Sequence, residues 1–289
     1  MLKLLNKFLS RNLPLILTVI IIVVTGFAWL VLENYETAIA AAPSVEDYQQ
    51  SNWTDTTGSS EVTGTLTWQA GDLIIVVGAT AEGPATLGTP TATGLTFSLV
   101  QETNAGASNQ DVRTYLWSAT AAGSGSSAVT STIGGGTNTR GISAFVYRGS
   151  DGLGNNSTIN NSSAKVISLT RSEDNSSVVV ILADWNAVDD TTVSPSPGGG
   201  TQRVAQNVSG ATTSFIFNWG DQGTAGTTSY GITDHTGTVD MGGIVVEVLG
   251  QDAPAEPSTE PHVKVRGGGS NSEGVKVRGG ADSGGVIFR

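Results

Sequence analysis

Three aspartates around a tryptophan form the densest group of residues that could do chemistry. Asp184, Asp189 and Asp190 flank Trp185 in the segment DWNAVDD. Carboxylate and carbonyl oxygens are the ligands that Ca²⁺ takes, so the group is a candidate calcium site. Two carboxylates about 5–10 Å apart are also the catalytic pair of glycosidases. The third interpretation is structural: Asp184 ends a strand, and Asp189 and Asp190 open a turn. We expect no cofactor, with calcium here as the alternative.

Aromatic side chains indicate a second kind of site. In VRTYLW (112–117) and FIFNW (215–219), the aromatic residues alternate with smaller ones and therefore share one face of a strand. Such aromatics usually belong to a hydrophobic core. The alternative is a platform on which sugars stack, and Trp117, Trp185 and Trp219 are the candidates for it.

Other catalytic chemistry has few residues to use. Cysteine is absent, which removes thiol nucleophiles and thiolate metal sites. Histidine occurs twice, and a Ser-His-Asp hydrolase would have to use His235, because His262 lies in a Pro-rich segment. No Gly-x-Ser-x-Gly elbow occurs, and no glycine run leads into Lys-Ser/Thr. The sequence therefore favours a protein that is not an enzyme.

The elements that position these residues are predicted to be strands. Glycine is abundant at 38 residues, Ser and Thr are frequent, and Lys is scarce, a composition that disfavours helices. Short apolar runs bounded by turn residues are the predicted strands: Val62–Trp68, Leu73–Val77, Leu95–Val100, Val112–Ser118, Ala128–Ile133, Ile142–Tyr147, Val166–Leu169, Val178–Trp185, Thr213–Trp219 and Ile244–Leu249. Because one face of each sheet needs a partner, we expect an all-β, antiparallel two-sheet sandwich, jelly-roll-like, over residues 61–250.

Between the predicted strands lie segments rich in Gly, Asn, Ser, Thr and Pro, which predict surface loops. They are 81–94, 102–111, 134–139, 149–164, 186–202 and 220–228. Residues 43–60 are polar and turn-rich, and they predict a stalk or a loop that enters the domain.

Two predicted strands differ from the others because they are continuously apolar. LIIVV (73–77) and VVVIL (178–182) fit strands that are covered on both faces or lie centrally in a sheet. The first is followed by a strand led by Gly in RGISAFVYRG (140–149), and the second by GGIVVEVLG (242–250). This weak internal sequence similarity is explained by a duplication or by ordinary sandwich construction.

The chain opens with a segment typical of membrane insertion. Residues 13–32 (LPLILTVIIIVVTGFAWLVL) hold no charge, and twenty helical residues span about 30 Å, the thickness of a bilayer core. Lys3, Lys7 and Arg11 precede the segment, so the chain after residue 33 should be exported. Residues 1–42 are thus predicted as a retained helical anchor or as a signal cleaved after Ala40 or Ala42. We expect an exported protein, either membrane-anchored at the cell surface or secreted.

Charge separates the body from both ends. Residues 43–250 carry 18 Asp and Glu against 6 Lys and Arg, whereas residues 251–289 carry 5 of each. An acidic body repels phosphates, so we expect no nucleic-acid partner. The predicted partners are the membrane, through residues 13–32, and surface glycans or neighbouring subunits.

The C-terminal region divides into a linker and a repetitive tail. Residues 251–262 (QDAPAEPSTEPH) form a Pro/Glu linker. Residues 263–289 carry VKVRGG twice, with Lys264, Arg266, Lys276 and Arg278 alternating with valines in strand periodicity. The tail is either disordered or a docking segment that adds edge strands to an acidic sheet.

The order GDLIIVV, TYLWSATA, GISAFVYRG, NSSVVVILADW and GGIVVEVLG resembles a loosely characterised group of β-sandwich domains in bacterial surface proteins and phage structural proteins. The resemblance covers residues 60–250 and implies a jelly-roll-like fold with a role in extracellular display or attachment. It supplies no catalytic residues.

These observations predict an exported cell-surface structural or adhesive β-sandwich module. A carbohydrate-binding module is the first alternative, and a filament subunit that assembles by strand addition is the second. A glycan-active enzyme has the least support from the residues.

Overall fold

The computed structural model describes residues 41–251, with gaps at 57, 82–84, 106–111, 136–137, 185–192, 209–211 and 234–240. Within these described residues the regular elements are all strands, so the all-β prediction is confirmed. The predicted anchor, the linker and the tail lie outside them. No helix among the described residues is long and apolar enough to cross a membrane.

Eleven strands form the first half of the body, between Ser44 and Arg148. They are β1 Ser44–Gln50, β2 Thr54–Thr56, β3 Ser60–Trp68, β4 Leu73–Ala81, β5 Thr86–Leu87, β6 Thr91–Ala92, β7 Leu95–Thr96, β8 Ser98–Ala105, β9 Val112–Thr120, β10 Gly125–Gly134 and β11 Asn138–Arg148. A large sheet has the order β1-β11-β4-β9-β8, with β2 on β11. A small sheet has the order β3-β10-β6-β7, with β5 on β10.

Eight strands form the second half, between Ser150 and Gly250. They are β12 Ser150–Ser162, β13 Val166–Thr170, β14 Ser177–Asp184, β15 Pro195–Ser196, β16 Thr201–Val208, β17 Thr212–Trp219, β18 Thr227–Ile232 and β19 Met241–Gly250. The large sheet has the order β12-β19-β14-β17-β16, and the small sheet has the order β13-β18-β15. Neighbouring strands in both halves run antiparallel.

The two halves repeat one topology. In each large sheet the central strand, β4 or β14, pairs with the last strand of its half on one side and with β9 or β17 on the other. The irregularities of pairing repeat as well: β8 has a bulge at Val100, and β16 has one at Arg203. The weak internal sequence similarity therefore corresponds to an internal structural repeat.

The four sheets enclose three hydrophobic cores. The central core lies between the two large sheets and takes Ile75 from β4 and Ile181 from β14. One outer core lies between the large and small sheets of the first half, and the other lies between those of the second half. Each large sheet is thus buried on both faces, which parallel sheets usually require and antiparallel ones do not.

This layering explains the two continuously apolar runs. Side chains alternate across a strand, so Ile75 enters the central core while its neighbour Ile74 enters an outer core. Val179 and Val180 of β14 divide in the same way. The prediction that these runs are covered on both faces is confirmed.

The large sheets face each other in reversed order. Strand β8 contacts β12 and β19, and β4 contacts β14. At the opposite edge β1 reaches β16, where the Arg203 guanidinium lies 5.1 Å from the ring centre of Tyr48. Because β1 corresponds to β12 and β8 to β16, the halves meet as two copies would in a two-fold dimer.

The structure corrects three sequence predictions. Residues 61–250 do not form one two-sheet sandwich, because the body has four sheets in two repeated halves. Residues 43–60 are not a stalk: Ser44–Gln50 is an edge strand paired with β11. The predicted loop 149–164 is mostly strand β12, the outer neighbour of β19. Backbone pairing holds both edge strands in place despite their polar side chains.

Candidate functional site

A polar groove lies at one end of the interface between the halves. It encloses about 400 Å³, within the range of small-molecule sites. We call it the inter-half groove. Its lining residues are Ala42, Pro43, Ser44, Val45, Tyr147, Ser177, Thr201, Arg203, Asn218, Gly220 and Asp221.

Five strand ends build this groove. The start of β1 and the end of β11 contribute Val45 and Tyr147 from the first half. The start of β14, β16 and the end of β17 contribute Ser177, Arg203 and Asn218 from the second half. The site therefore exists only when the two large sheets are packed together.

Tyr147 provides a buried hydroxyl group at the groove. Its ring packs in the central core, 6.2 Å from the ring of Phe145 between centroids. The side chain is fully buried, and its Oη has no hydrogen-bond partner among the described residues. Burial raises the pKa of Tyr147 well above its ordinary value, so the hydroxyl remains neutral at physiological pH.

Arg203 provides the positive charge. Its Nε donates to Asn218 Oδ1 at 2.6 Å, and its guanidinium lies over the ring of Tyr48. None of the ion pairs found among the described residues involves Arg203. Its charge favours a lower pKa for two tyrosines, but burial outweighs it at both. Burial raises the pKa of Tyr48 to about 12, and it also raises the pKa of Tyr147.

Short polar side chains complete the wall. Ser177 Oγ donates to the Pro43 carbonyl at 2.8 Å, which fixes the strand entering β1 against the second half. Asp221 Oδ1 accepts from the Gly223 N–H at 2.8 Å, so this carboxylate is held by its own turn. The groove thus offers hydroxyl, amide, carboxylate and guanidinium groups within one cavity.

Three positions at the equivalent end of the interface are apolar, although the counterparts of Thr201 and Asn218 are Ser98 and Ser118. By strand register, Leu73 occupies the position of Ser177, and Val248 occupies that of Tyr147. Val100, the bulge residue of β8, stands where β16 has Arg203. Leu73 and Val248 belong to the central core, and Val100 packs against it. The fold therefore does not require polar residues at the positions of Ser177, Tyr147 and Arg203.

Other buried charges have structural partners. Arg140 Nε donates to Glu61 Oε1 at 3.1 Å, and burial raises the pKa of Glu61 although Arg140 opposes it. Glu247 accepts from the backbone N–H groups of Asn155, Ser172 and Glu173. Burial alone would raise the pKa of Glu247, but these hydrogen bonds outweigh it and lower the pKa.

Of the predicted stacking platform, two tryptophans lie in outer cores. Trp117 is 2% exposed and stacks on Tyr115 with ring centroids 5.1 Å apart. Trp219 is 1% exposed, and its Nε1 donates to the Pro197 carbonyl. Buried indoles offer no face to a sugar, so these positions follow the core interpretation. Trp185 lies outside the described residues.

The predicted calcium site falls mostly outside the described residues. Strand β14 ends at Asp184, as the structural interpretation predicts, and the carboxylate is buried there. Asp189 and Asp190 lie in the gap at 185–192. The described residues contain no group of three His, Asp or Glu side chains placed to hold a metal ion. Calcium at Asp184, Asp189 and Asp190 stays a prediction.

The predicted docking residues Lys264, Arg266, Lys276 and Arg278 lie outside the described residues, and docking by the tail stays a prediction. Sequence reasoning missed the inter-half groove altogether. The internal repeat was the one signal in the sequence that pointed to it. The repeat aligns Tyr147 with Val248 and Arg203 with Val100, but this alignment requires the strand registers, which the sequence does not give.

Compared with protein-family models, curated proteins and solved structures, the chain matches none.

Proposed function

We propose that this chain is an exported cell-surface module with a structural or adhesive role. Its body is displayed on the leading apolar segment, residues 13–32, or is released if that segment is cleaved. The acidic body, with 18 Asp and Glu against 6 Lys and Arg in residues 43–250, suits a protein that stays dispersed outside the cell.

The observation that carries this proposal is the meeting of the two ends of the body. A Cβ added at Gly250 would lie 2.9 Å from the carbonyl oxygen of Ala41. Nearby, the N–H of Gln251 donates to the Gly149 carbonyl at 3.0 Å. The first and last described residues of the body therefore lie close together. This arrangement suits display from a membrane.

We further propose that each half is a jelly roll. The partial orders β1-β11-β4-β9 and β3-β10-β6-β7 support this proposal, because eight of the eleven strands divide between the two sheets in jelly-roll order, while β8, β2 and β5 are additions to these sheets. The second half follows the same pattern with a shorter small sheet. Folds of this kind serve many functions, so the proposal adds no activity of its own.

Cell fractionation and mass spectrometry of the full chain test the display role. We expect the intact protein in the membrane fraction, with its body digested by protease added outside intact cells. A mature N-terminus at residue 41 or 43 would replace anchoring by secretion. A variant lacking residues 13–32 is the matched control and should stay inside the cell. Intact wild-type protein soluble in the cytosol would overturn the proposal.

The filament alternative has its own test. Tail docking requires residues 263–289 to pair with a sheet edge on this or another subunit. Deleting these residues should abolish assembly or surface retention, seen by electron microscopy of cells. Unchanged assembly in the deletion variant would remove the tail from the proposal.

A further inference from the structure

We propose that the inter-half groove binds an acidic monosaccharide unit, with Arg203 meeting its carboxylate and Tyr147 Oη donating a hydrogen bond to it. This inference concerns the chemistry of the groove and does not depend on where the protein resides. It moves the carbohydrate-binding alternative away from Trp117 and Trp219, which lie in the outer cores and do not line the groove.

The first support is the hydroxyl of Tyr147. A buried polar group without a hydrogen bond costs free energy, and native proteins seldom leave one without a reason. Phenylalanine would fill the same space in the central core, and the equivalent residue Val248 is fully apolar. Tyr147 lines the groove, so a ligand oxygen that reaches its Oη there would supply the partner that the hydroxyl lacks among the described residues.

The second support is the charge of Arg203. The body is strongly acidic, and three other arginines of the described residues, Arg113, Arg140 and Arg148, pair with carboxylates. Arg203 instead lines the groove, oriented by Asn218 and by the ring of Tyr48. A guanidinium held in one orientation, in the same groove as a neutral tyrosine, is suited to an anionic group such as a carboxylate.

The third support is the mixture of the remaining groups. Thr201 and Asn218 offer donors and acceptors close to Arg203, and Asp221 can accept hydrogen bonds through its carboxylate. A ligand that is only an anion would meet Asp221 unfavourably, whereas a sugar hydroxyl can donate to it. A carboxylate on a polyhydroxylated ring therefore fits the groove better than a simple carboxylate does.

Isothermal titration of the full-length protein in detergent tests the proposal with matched probes. Glucuronate and galacturonate differ from glucose and galactose only where a carboxylate replaces a hydroxymethyl group. We expect at least one uronate to bind about tenfold more tightly than its neutral sugar. Propionate, which has the carboxylate without the ring, should bind weakly. The proposal is overturned if neither uronate binds, if a neutral sugar binds as tightly, or if propionate does.

Two variants assign the binding to the groove. Arg203→Gln and Tyr147→Phe should each weaken uronate binding about tenfold or more, because each removes a hydrogen bond to a charged group. Matched controls are Arg113→Gln and Tyr115→Phe, which change an arginine and a buried tyrosine of the first half and should leave binding unchanged. Equal binding by Tyr147→Phe and wild type, with both proteins folded by circular dichroism, would overturn the assignment.

Discussion

The two halves of the body share strand order, bulge positions and a common interface, yet they differ sharply at its two ends. One end is closed by Leu73 and Val248, whereas the other opens into a groove with Ser177 and Tyr147 at the corresponding positions. The same arrangement of strands accommodates apolar residues at one end, so the stability of the fold does not explain why Ser177 and Tyr147 occur at the other. The departure from the repeat is what marks the groove as a candidate binding site.

A second difference lies in the outer cores. Glu247 of the second half corresponds in register to Val146 of the first, so a carboxylate replaces an apolar side chain. Glu247 holds the turn that follows β13 through several hydrogen bonds. Here the polar residue has a complete set of protein partners, unlike Tyr147. Polar residues that depart from the repeat therefore divide into those with protein partners, such as Glu247, and those such as Tyr147 whose polar atom has none among the described residues.

The largest expected effect on stability comes from placing a polar residue at the apolar end of the interface between the halves. Leu73→Ser should lower the free energy of unfolding by about 4 kcal/mol, because it leaves a cavity and buries a hydroxyl. Urea unfolding of the full chain measures the loss. The matched control is Ser177→Ala at the polar end, which removes only the hydrogen bond to Pro43 and should cost about 1 kcal/mol. Equal losses at the two positions would contradict the asymmetry.

Glu247→Gln should have the next largest effect on stability. The neutral amide brings an NH₂ group toward the N–H donors of the turn, so we expect a loss of about 3 kcal/mol. The control is Glu102→Gln, which weakens a partly exposed pair with Arg113 and should cost less than about 0.5 kcal/mol.

Acid should reduce the stability difference between wild type and Glu247→Gln. The folded pKa of Glu247 is lowered, so its stabilisation is present above the unfolded pKa and is lost as pH falls through the folded pKa. Below the ordinary value of 4.5, the difference between wild type and Glu247→Gln should shrink. Urea unfolding at pH 7 and pH 3 measures this change. A difference that stays constant would show that the charge of Glu247 is not the cause.

Tyr147→Phe should stabilise the protein without ligand by about 1 kcal/mol, because it removes a buried hydroxyl that lacks a protein partner among the described residues. Thermal unfolding measures the gain. Tyr230→Phe is the matched control in the second half: its hydroxyl donates to Gln222 Oε1 at 3.2 Å, so the same change should destabilise. A loss of stability in Tyr147→Phe would mean that the hydroxyl has a structural role.

The smallest expected effect is that of Arg203→Gln on stability. The guanidinium contributes the contact with the Tyr48 ring and the hydrogen bond to Asn218, so we expect a loss of about 1 kcal/mol. Urea unfolding measures it beside Val100→Ala at the equivalent bulge. A loss above about 3 kcal/mol would assign Arg203 to the framework of the fold.

The sequence predicted the strands that carry the cores and missed those held by backbone pairing. All ten predicted runs overlap strands. The large sheets are covered on both faces, so residues such as Ile75 and Val180 are apolar, and apolar runs identify these strands. Strand β12 has the sequence SDGLGNNSTINNS, which is typical of a loop. It lies at an edge with three irregularities of register, where side chains are not required to be apolar. Composition therefore could not identify it.

The inter-half groove could not be predicted for a related reason. Tyr147 and Arg203 belong to different halves and meet only after the large sheets pack in reversed order. Neither residue lies in a motif, and Tyr147 ends an ordinary apolar run. The repeat is weak in sequence because one backbone accepts Val248 or Tyr147, and Val100 or Arg203, at matching positions.

The proximity of Ala41 and Gly250 also has a mechanical consequence. Strand β1 pairs with β11 in the first half, whereas β19 pairs with β12 and β14 in the second. If Ala41 and Gln251 are pulled apart, the tension therefore passes from one half to the other through the packing between the two large sheets. The inter-half groove, lined by Ala42 and Pro43, lies next to the point where this load enters the body.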